Sequence, residues 1–315
     1  MCRFLNRLPR GSEPGSPGRN LFQVQGVERL LNWRRMYREM INTPLRAWSA
    51  LFLFLLLIPG SPVFADSGTR VLESGQEKVA LLELYTSEGC SSCPPADAFV
   101  SSLKDSGLYP KQVIPLSFHV TYWDYIGWHD PYAQKVFDQR QRQVAARRKS
   151  PTIYTPQLVL DGRDIRGSGG FQARVRKLNE RQPQANIKLA LNTSSADALG
   201  LELDILVADE QIRANSVVFI ALFENRLTSQ VRAGENSGKT LHHEHVVRQL
   251  VGPLSLADAN PGCHHSVEIE IPETVKRENA GVVAFVQNTV DGSVLQALSV
   301  HLVVRAPVSG SGQDL

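Results

Sequence analysis

No hydrophobic run in this sequence is long enough to cross a membrane as a helix. The run from Ala47 to Ile58 has 12 residues, against the ~20 that a bilayer needs. Charge of one sign is also scarce, since the 315 residues carry a formal net charge of only +3. That small surplus is local: eight arginines face Glu13, Glu28 and Glu39 in residues 1–39, and Arg46 is the only charge between there and Asp66. The remainder is slightly acidic, so nothing in bulk charge points to nucleic acid. Cysteine is sparse as well, at four residues, and Cys2 sits in the basic front end. With 42% hydrophobic residues, a disordered or collagen-like chain is excluded.

The front end reads as a targeting device. From Met40 the chain has one basic residue, Arg46, then the apolar run, the helix breakers Pro59, Gly60 and Pro62, and the small-residue site Val63-Phe64-Ala65. This is the pattern of a secretory signal peptide over 40–65, cleaved after Ala65. Residues 1–39 are out of place before such a signal, so they are a mis-assigned or extended leader, with Met40 or Met36 as the true start. Export implies a periplasmic or secreted protein in which disulfides persist, with Cys90, Cys93 and Cys263 remaining.

After Asp66 the first strong signal is the apolar run Val79 to Tyr85, which has the length of a buried strand. Cys90-Ser91-Ser92-Cys93-Pro94-Pro95 follows, then a helical pattern through Ala98, Val100 and Leu103. Prolines are tolerated in a first helical turn, so the cysteines lie on a loop that opens a helix. A second strand is expected over Val113 to Val120 and a helix over 132–149, with Val136, Phe137 and Val144 inward. Next come a strand over Gln157 to Leu160, an Asp161-Gly162 turn, a short strand over Asp164 to Arg166 and a helix over Phe171 to Asn179. This order is the layout of a thioredoxin-like α/β domain over 66–183. Pro183 ends it. Seven short apolar stretches between Ile187 and Val304, separated by turn residues, then predict an all-β sandwich-like domain over 184–305, with a flexible tail over 306–315.

A bare Cys-x-x-Cys is ambiguous between redox and zinc chemistry. Here a strand leads in, a helix leads out, and Thr155-Pro156 precedes a later strand. In a thioredoxin-like fold Pro156 is a cis proline packed against the cysteines, leaving main-chain groups on which an extended substrate lies. Cys90 is the expected nucleophile, exposed at a helix N-terminus where the dipole favours a thiolate, and Cys93 the resolving cysteine.

Segments 82–97, 122–128, 154–163 and 234–248 resemble the secreted thioredoxin-like family called domain of unknown function 1223. The resemblance implies a thioredoxin-like fold and export, and no established activity. Ser91-Ser92 replaces the Gly-Pro of better-known thioredoxins, so their redox potential does not carry over. The position of their buried acid falls near Leu84, with Glu83 one residue away as a possible proton acceptor.

Other features have two readings each. Led by His119, the stretch with Tyr122, Trp123, Asp124 and Trp128 either walls a substrate groove beside Cys90, together with Thr155, or packs the core. His243 and His245 share a face if they lie on one strand, and with Cys263 or His265 they could hold zinc or copper; unliganded surface histidines are the plainer reading. Arg140, Arg142, Arg147, Arg148 and Lys149 read as a solvated helix face. The expected function is thiol–disulfide exchange with cysteines of envelope or secreted proteins, with no cofactor, no resident metal, no nucleic acid and no stable membrane span after cleavage. The alternative is a non-catalytic binding module with a structural Cys90–Cys93 disulfide, and a minor alternative is copper or zinc binding through Cys90, Cys93 and histidines.

Cleavage after Ala65 predicts a mature chain that begins at Asp66. Amino-terminal sequencing of the envelope fraction checks this, and a product retaining Leu51 to Ile58 contradicts it.

Overall fold

The computed structural model describes residues 69–150, 152–192, 197–257 and 262–302; the expected leader, signal peptide and tail lie outside them. The described chain opens with β1 (Thr69–Glu73) and β2 (Ala80–Thr86). Every residue of β2 is buried, as a continuous apolar run requires of a strand covered on both faces. Pro94 and Pro95 start α1 (Pro94–Ser102), and β3 (Val113–His119) is again wholly buried. A 3-10 turn over Thr121–Ile126 leads to α2 (Lys135–Arg147). β4 (Gln157–Leu160) and β5 (Arg163–Ile165) form a hairpin whose turn residues, Asp161 and Gly162, have φ of 49° and 74°. Two positive φ values match the right-handed twist of the flanking strands, and Asp-Gly supplies them. A Cβ at Gly162 would also collide with the backbone of Gly292.

α3 (Phe171–Asn179) precedes β6 (Asn186–Asn192) and β7 (Ala198–Leu206), both of which alternate buried with less buried residues. Asp209 caps the short α4 (Glu210–Ala214) by accepting the Ile212 N–H. β8 (Ser216–Glu224), β9 (Leu227–Gln230), β10 (Thr240–His243), β11 (Val246–Ser255), β12 (Gly262–Glu270), β13 (Ala280–Asn288) and β14 (Val294–His301) complete the described chain. Among the described residues no helix is long and apolar enough to cross a membrane.

The pairing of these strands overturns the expected fold class. An eight-stranded mixed sheet runs β14-β13-β8-β11-β3-β2-β4-β5. β2 and β3 are parallel, and β11 continues the sheet beside β3, with Val246 opposite Ser117. Strands from both sides of Pro183 therefore share one sheet. A second, antiparallel sheet, β1-β6-β7-β12, takes β1 from before that proline and the other three from after it. The protein is predominantly β, and a thioredoxin-like α/β domain followed by a separate sandwich is not what it forms. Periodicity and turn chemistry report local conformation. The β3–β11 junction, in which the Ser117 hydroxyl donates to a carbonyl 127 residues later, leaves no local mark.

Three apolar cores result. Ile187, Leu189, Leu201 and Leu203 of the smaller sheet pack with Val218, Ile220, Val282 and Ala284 of the larger one. Tyr85, Phe118, Phe137, Phe219, Phe223 and Phe285 pack with aliphatic residues such as Ile114, Leu116 and Val283 in a second core. α1 and α3 cover Leu82, Leu84, Leu158 and Leu160 on the third. Phe137 and Val144 of α2 point inward as expected, whereas Val136 is 40% exposed. Arg140 departs from the expected solvated face. It is buried, its Nε donates to Glu83 Oε2 at 2.6 Å, and its guanidinium lies 4.7 Å from the Phe219 ring centroid. Removing one partner of such a buried pair typically costs about 3–5 kcal/mol, because the other charge is left uncompensated.

A fragment of residues 66–183 lacks β11 beside β3 and lacks Phe219, Phe223 and Phe285. It is therefore expected to show no cooperative thermal transition by circular dichroism, while the full chain does. A cooperative melt of the fragment would contradict the shared sheet.

Candidate functional site at the Cys90–Cys93 loop

β2 delivers the chain to a tight loop that ends in α1. Cys90 N–H donates to Ser87 O and Cys93 N–H to Cys90 O, both at 3.1 Å. This folding back brings the two Cα atoms to 5.4 Å, and the cysteines are joined as a disulfide. Cys93, not Cys90, is the N-cap of α1, and its carbonyl accepts from Ala96 and Asp97. The sequence led us to expect an exposed Cys90. In the structure it is 1% exposed and Cys93 is fully buried, while Ser91 and Ser92 face solvent.

The burial comes from a segment that sequence reasoning gave no role. Between β9 and β10 the chain crosses over the cysteine loop, and the buried Asn236 Nδ2 donates to Glu88 O at 2.8 Å and Cys90 O at 2.9 Å. Lys239 Nζ donates to Asn236 Oδ1 at 2.9 Å, which orients the amide. Glu235 Oε2 accepts the Ser91 N–H at 2.9 Å, and hydrogen bonds from Ser91 hold the Glu235 carboxyl below the usual range. The resembling segment 234–248 contained these residues, but an asparagine clamp has no sequence signature.

Behind the disulfide lies a buried group of acids and histidines. Glu88 accepts from Trp128 Nε1 at 2.8 Å and lies 3.0 Å from His243 Nε2. His119 Nδ1 is 2.7 Å from Asp130 Oδ2, which also accepts the Glu88 N–H. The His119 and His243 rings meet edge to face at 4.9 Å, beside Tyr132. Burial pulls His119 down, but Asp130, with Asp97 and Glu88, prevails and raises it. Burial likewise raises Asp130, and His119 overcomes this and lowers it. Asp97 is raised by burial, against the opposing pull of His243 and His119.

Other expected site residues divide between this region and elsewhere. The Thr155–Pro156 peptide is cis. Pro156 lines a cavity of about 400 Å³ with Ser92, Pro95, Phe99, Tyr154 and Arg166. Trp123 Nε1 donates to Thr155 Oγ1 at 2.6 Å, tying the aromatic stretch to the same loop. Tyr122, Trp123, Asp124 and Trp128 do not line that cavity. Trp128 holds Glu88, Asp124 lies 2.7 Å from His129, and burial pushes the Tyr122 hydroxyl up to about 12. A Cβ on Gly89 would sit 3.2 Å from both Trp123 Cβ and Ile126 Cδ1, so this stretch packs directly on the cysteine loop. Glu83 is not beside the cysteines. It alternates with Leu82 and Leu84, which face α1, and so points to the opposite side, toward Arg140 and Tyr85.

His243 and His245 do not form a pair of ligands. β10 ends at His243, and His245, at φ 55°, turns toward Tyr109 and Phe223. β10 pairs with β9 in a separate two-stranded sheet, whereas Cys263 and His265 lie on β12 of the four-stranded sheet. Among the described residues, no group of three or more His, Cys, Asp or Glu could hold a metal ion.

His245 makes a pH prediction. Burial, with the charges of His301 and Lys104, lowers it to about 3, whereas in the unfolded chain it titrates near ~6.5. The native state therefore binds fewer protons below that pH, and stability falls as pH falls toward 3. Between pH 6.5 and pH 5 this site alone costs about 2 kcal/mol. In urea unfolding at pH 7 and pH 5, His245→Asn, which suits the positive φ, is expected to lose about 2 kcal/mol less than the parent.

Comparison with known proteins is consistent with this architecture. The family described as "Protein of unknown function (DUF1223)" matches residues 81–287. A crystal structure of an Agrobacterium tumefaciens protein is 24% identical, with a TM-score of 0.54, over 74% of this chain and 99% of its own. HBP35 of Porphyromonas gingivalis is 15% identical, with a TM-score of 0.55, over 75% of this chain and 82% of its own. No curated protein matches. At these identities the solved structures speak to fold alone, but the family match covers more than half of the chain, from β2 through the cysteine loop and the Asn236 clamp to β13, and so this protein belongs to the DUF1223 family of proteins of unknown function.

Proposed function

We propose that this protein is an exported thiol–disulfide oxidoreductase that acts on cysteines of envelope or secreted proteins, with Cys90 as the exchanging cysteine and Cys93 as the resolving one. The observation that carries the reading is the Cys90–Cys93 disulfide at the start of α1, beside a cavity lined by Ser92, Pro95 and Pro156. A helix N-terminus favours a thiolate there, because its free N–H groups and dipole stabilise the anion. A substrate thiolate attacks Cys90 Sγ, the Cys90–Cys93 bond breaks, and Cys93 leaves. A second substrate thiol then displaces Cys90, so the substrate is oxidised to a disulfide and the pair is reduced. Exchange in the other direction runs through the same mixed disulfide, and no cofactor takes part.

Burial of both cysteines favours a second reading, a binding module in which the disulfide is a staple. One experiment separates the two. Cys93→Ser in the exporting cell is expected to accumulate mixed disulfides with envelope proteins, seen as thiol-sensitive bands of higher mass on non-reducing gels, and Cys90→Ser is expected to accumulate none. If Cys93→Ser traps nothing in its own compartment, the staple is the better account.

A further inference from the structure

Breaking the Cys90–Cys93 bond places a negative charge on a fully buried Cys93 sulfur. The N-terminus of α1 offsets part of the cost of burying a thiolate there, and a proton delivered to the sulfur removes the rest. Asp97 lies four residues along α1 from Cys93, and its N–H donates to the Cys93 carbonyl at 3.1 Å. Side chains at i and i+4 share a helix face and lean toward the N-terminus, which directs Asp97 back toward Cys93. Cys93, Asp97 and Val100 form the buried stripe of that face.

Among the described residues, four buried polar atoms in this region lack a close hydrogen-bond partner: Thr86 Oγ1, Asp97 Oδ1, His119 Nε2 and His243 Nδ1. Native proteins rarely leave such atoms unmatched, so each calls for an explanation, and a catalytic role is one. They belong to four elements that meet here. Asp97 is on α1, His119 is on β3 opposite Thr86 of β2, and His243 is on β10, which packs against α1. Asp130 holds the far side of His119, and Glu88 the far side of His243. A carboxyl group within the field of two imidazoles, each backed by a carboxylate, can release a proton and be stabilised as an anion.

Building on the oxidoreductase reading, we propose that Asp97 is the proton-transfer group for Cys93, with His119 and His243 as positioning residues that stabilise its carboxylate. As the substrate thiolate bonds to Cys90 Sγ, the electron pair of the Cys90–Cys93 bond passes to Cys93 Sγ. The Asp97 proton then moves to that sulfur, leaving a carboxylate that the His119 and His243 charges stabilise. In the reverse direction Asp97 takes the proton back as Cys93 attacks the mixed disulfide. Burial raises Asp97, the direction that favours its protonated form.

The test is stopped-flow reduction of the full chain by dithiothreitol, followed by tryptophan fluorescence across pH. Asp97→Asn is expected to slow reduction about 100-fold at low pH, the size of a typical acid–base contribution. The deficit should shrink as pH rises, because the parent carboxyl then ionises and can no longer donate. A purely structural defect would slow reduction equally at every pH. Infrared difference spectra of the unmutated protein read the same event without any variant, as loss of a protonated carboxyl band on reduction. Parallel pH profiles, or no carboxyl change on reduction, overturn the proposal. If Cys93→Ser traps partners while the profiles stay parallel, only the Asp97 role fails. A disulfide that dithiothreitol does not open overturns both readings.

Discussion

The junction between β3 and β11 is the constraint on which the rest of the site depends. Ser117 donates its N–H to the His245 carbonyl at 2.8 Å, and Val246 pairs with Ser117 in parallel register. That pairing fixes where β10 and the segment before it lie against α1 and the cysteine loop. His243 consequently stands against His119, and Asn236 reaches the carbonyls of Glu88 and Cys90. Both strands bury their side chains here, so a slip by one residue would turn apolar side chains of β11 away from the core. The same junction explains why the two halves of the chain form one unit.

Polar groups in the interior are arranged on opposite faces of β2 with different consequences. On one face Glu83 meets Arg140 and Tyr85 among the aromatic rings of Phe118, Phe219 and Phe285. That pair joins α2 to the sheet and has no path to the cysteines. On the other face Thr86 leads into the cysteine loop, and Asp97, His119 and His243 gather there with buried atoms that lack partners. Glu83 Oε1 also lacks a close partner, so what sets the second cluster apart is its place beside the disulfide.

The clamp formed by Asn236 and Glu235 gives the disulfide a different setting from a bare loop at a helix end. Four protein groups, the Glu88 and Cys90 carbonyls, the Ser91 N–H and the Lys239 ammonium, are held through these two side chains.

The sequence by itself determined the local elements. Continuous apolar runs marked β2 and β3 because strands covered on both faces need no polar alternation. Asp161-Gly162 marked the β4–β5 hairpin because only such residues accept two positive φ values cheaply. Cys90, Cys93 and the proline pair marked a loop opening a helix, which is what stands there. Tertiary structure alone decided the rest. Arg140, read as solvated, is buried because Glu83 and three aromatic rings wait on the facing sheet. Cys90, read as exposed, is covered by a segment nearly 150 residues away, and His243 finds His119 rather than His245. The physical reason is the same in each case: periodicity and turn chemistry are properties of neighbours along the chain, while strand order and burial depend on which distant surfaces meet.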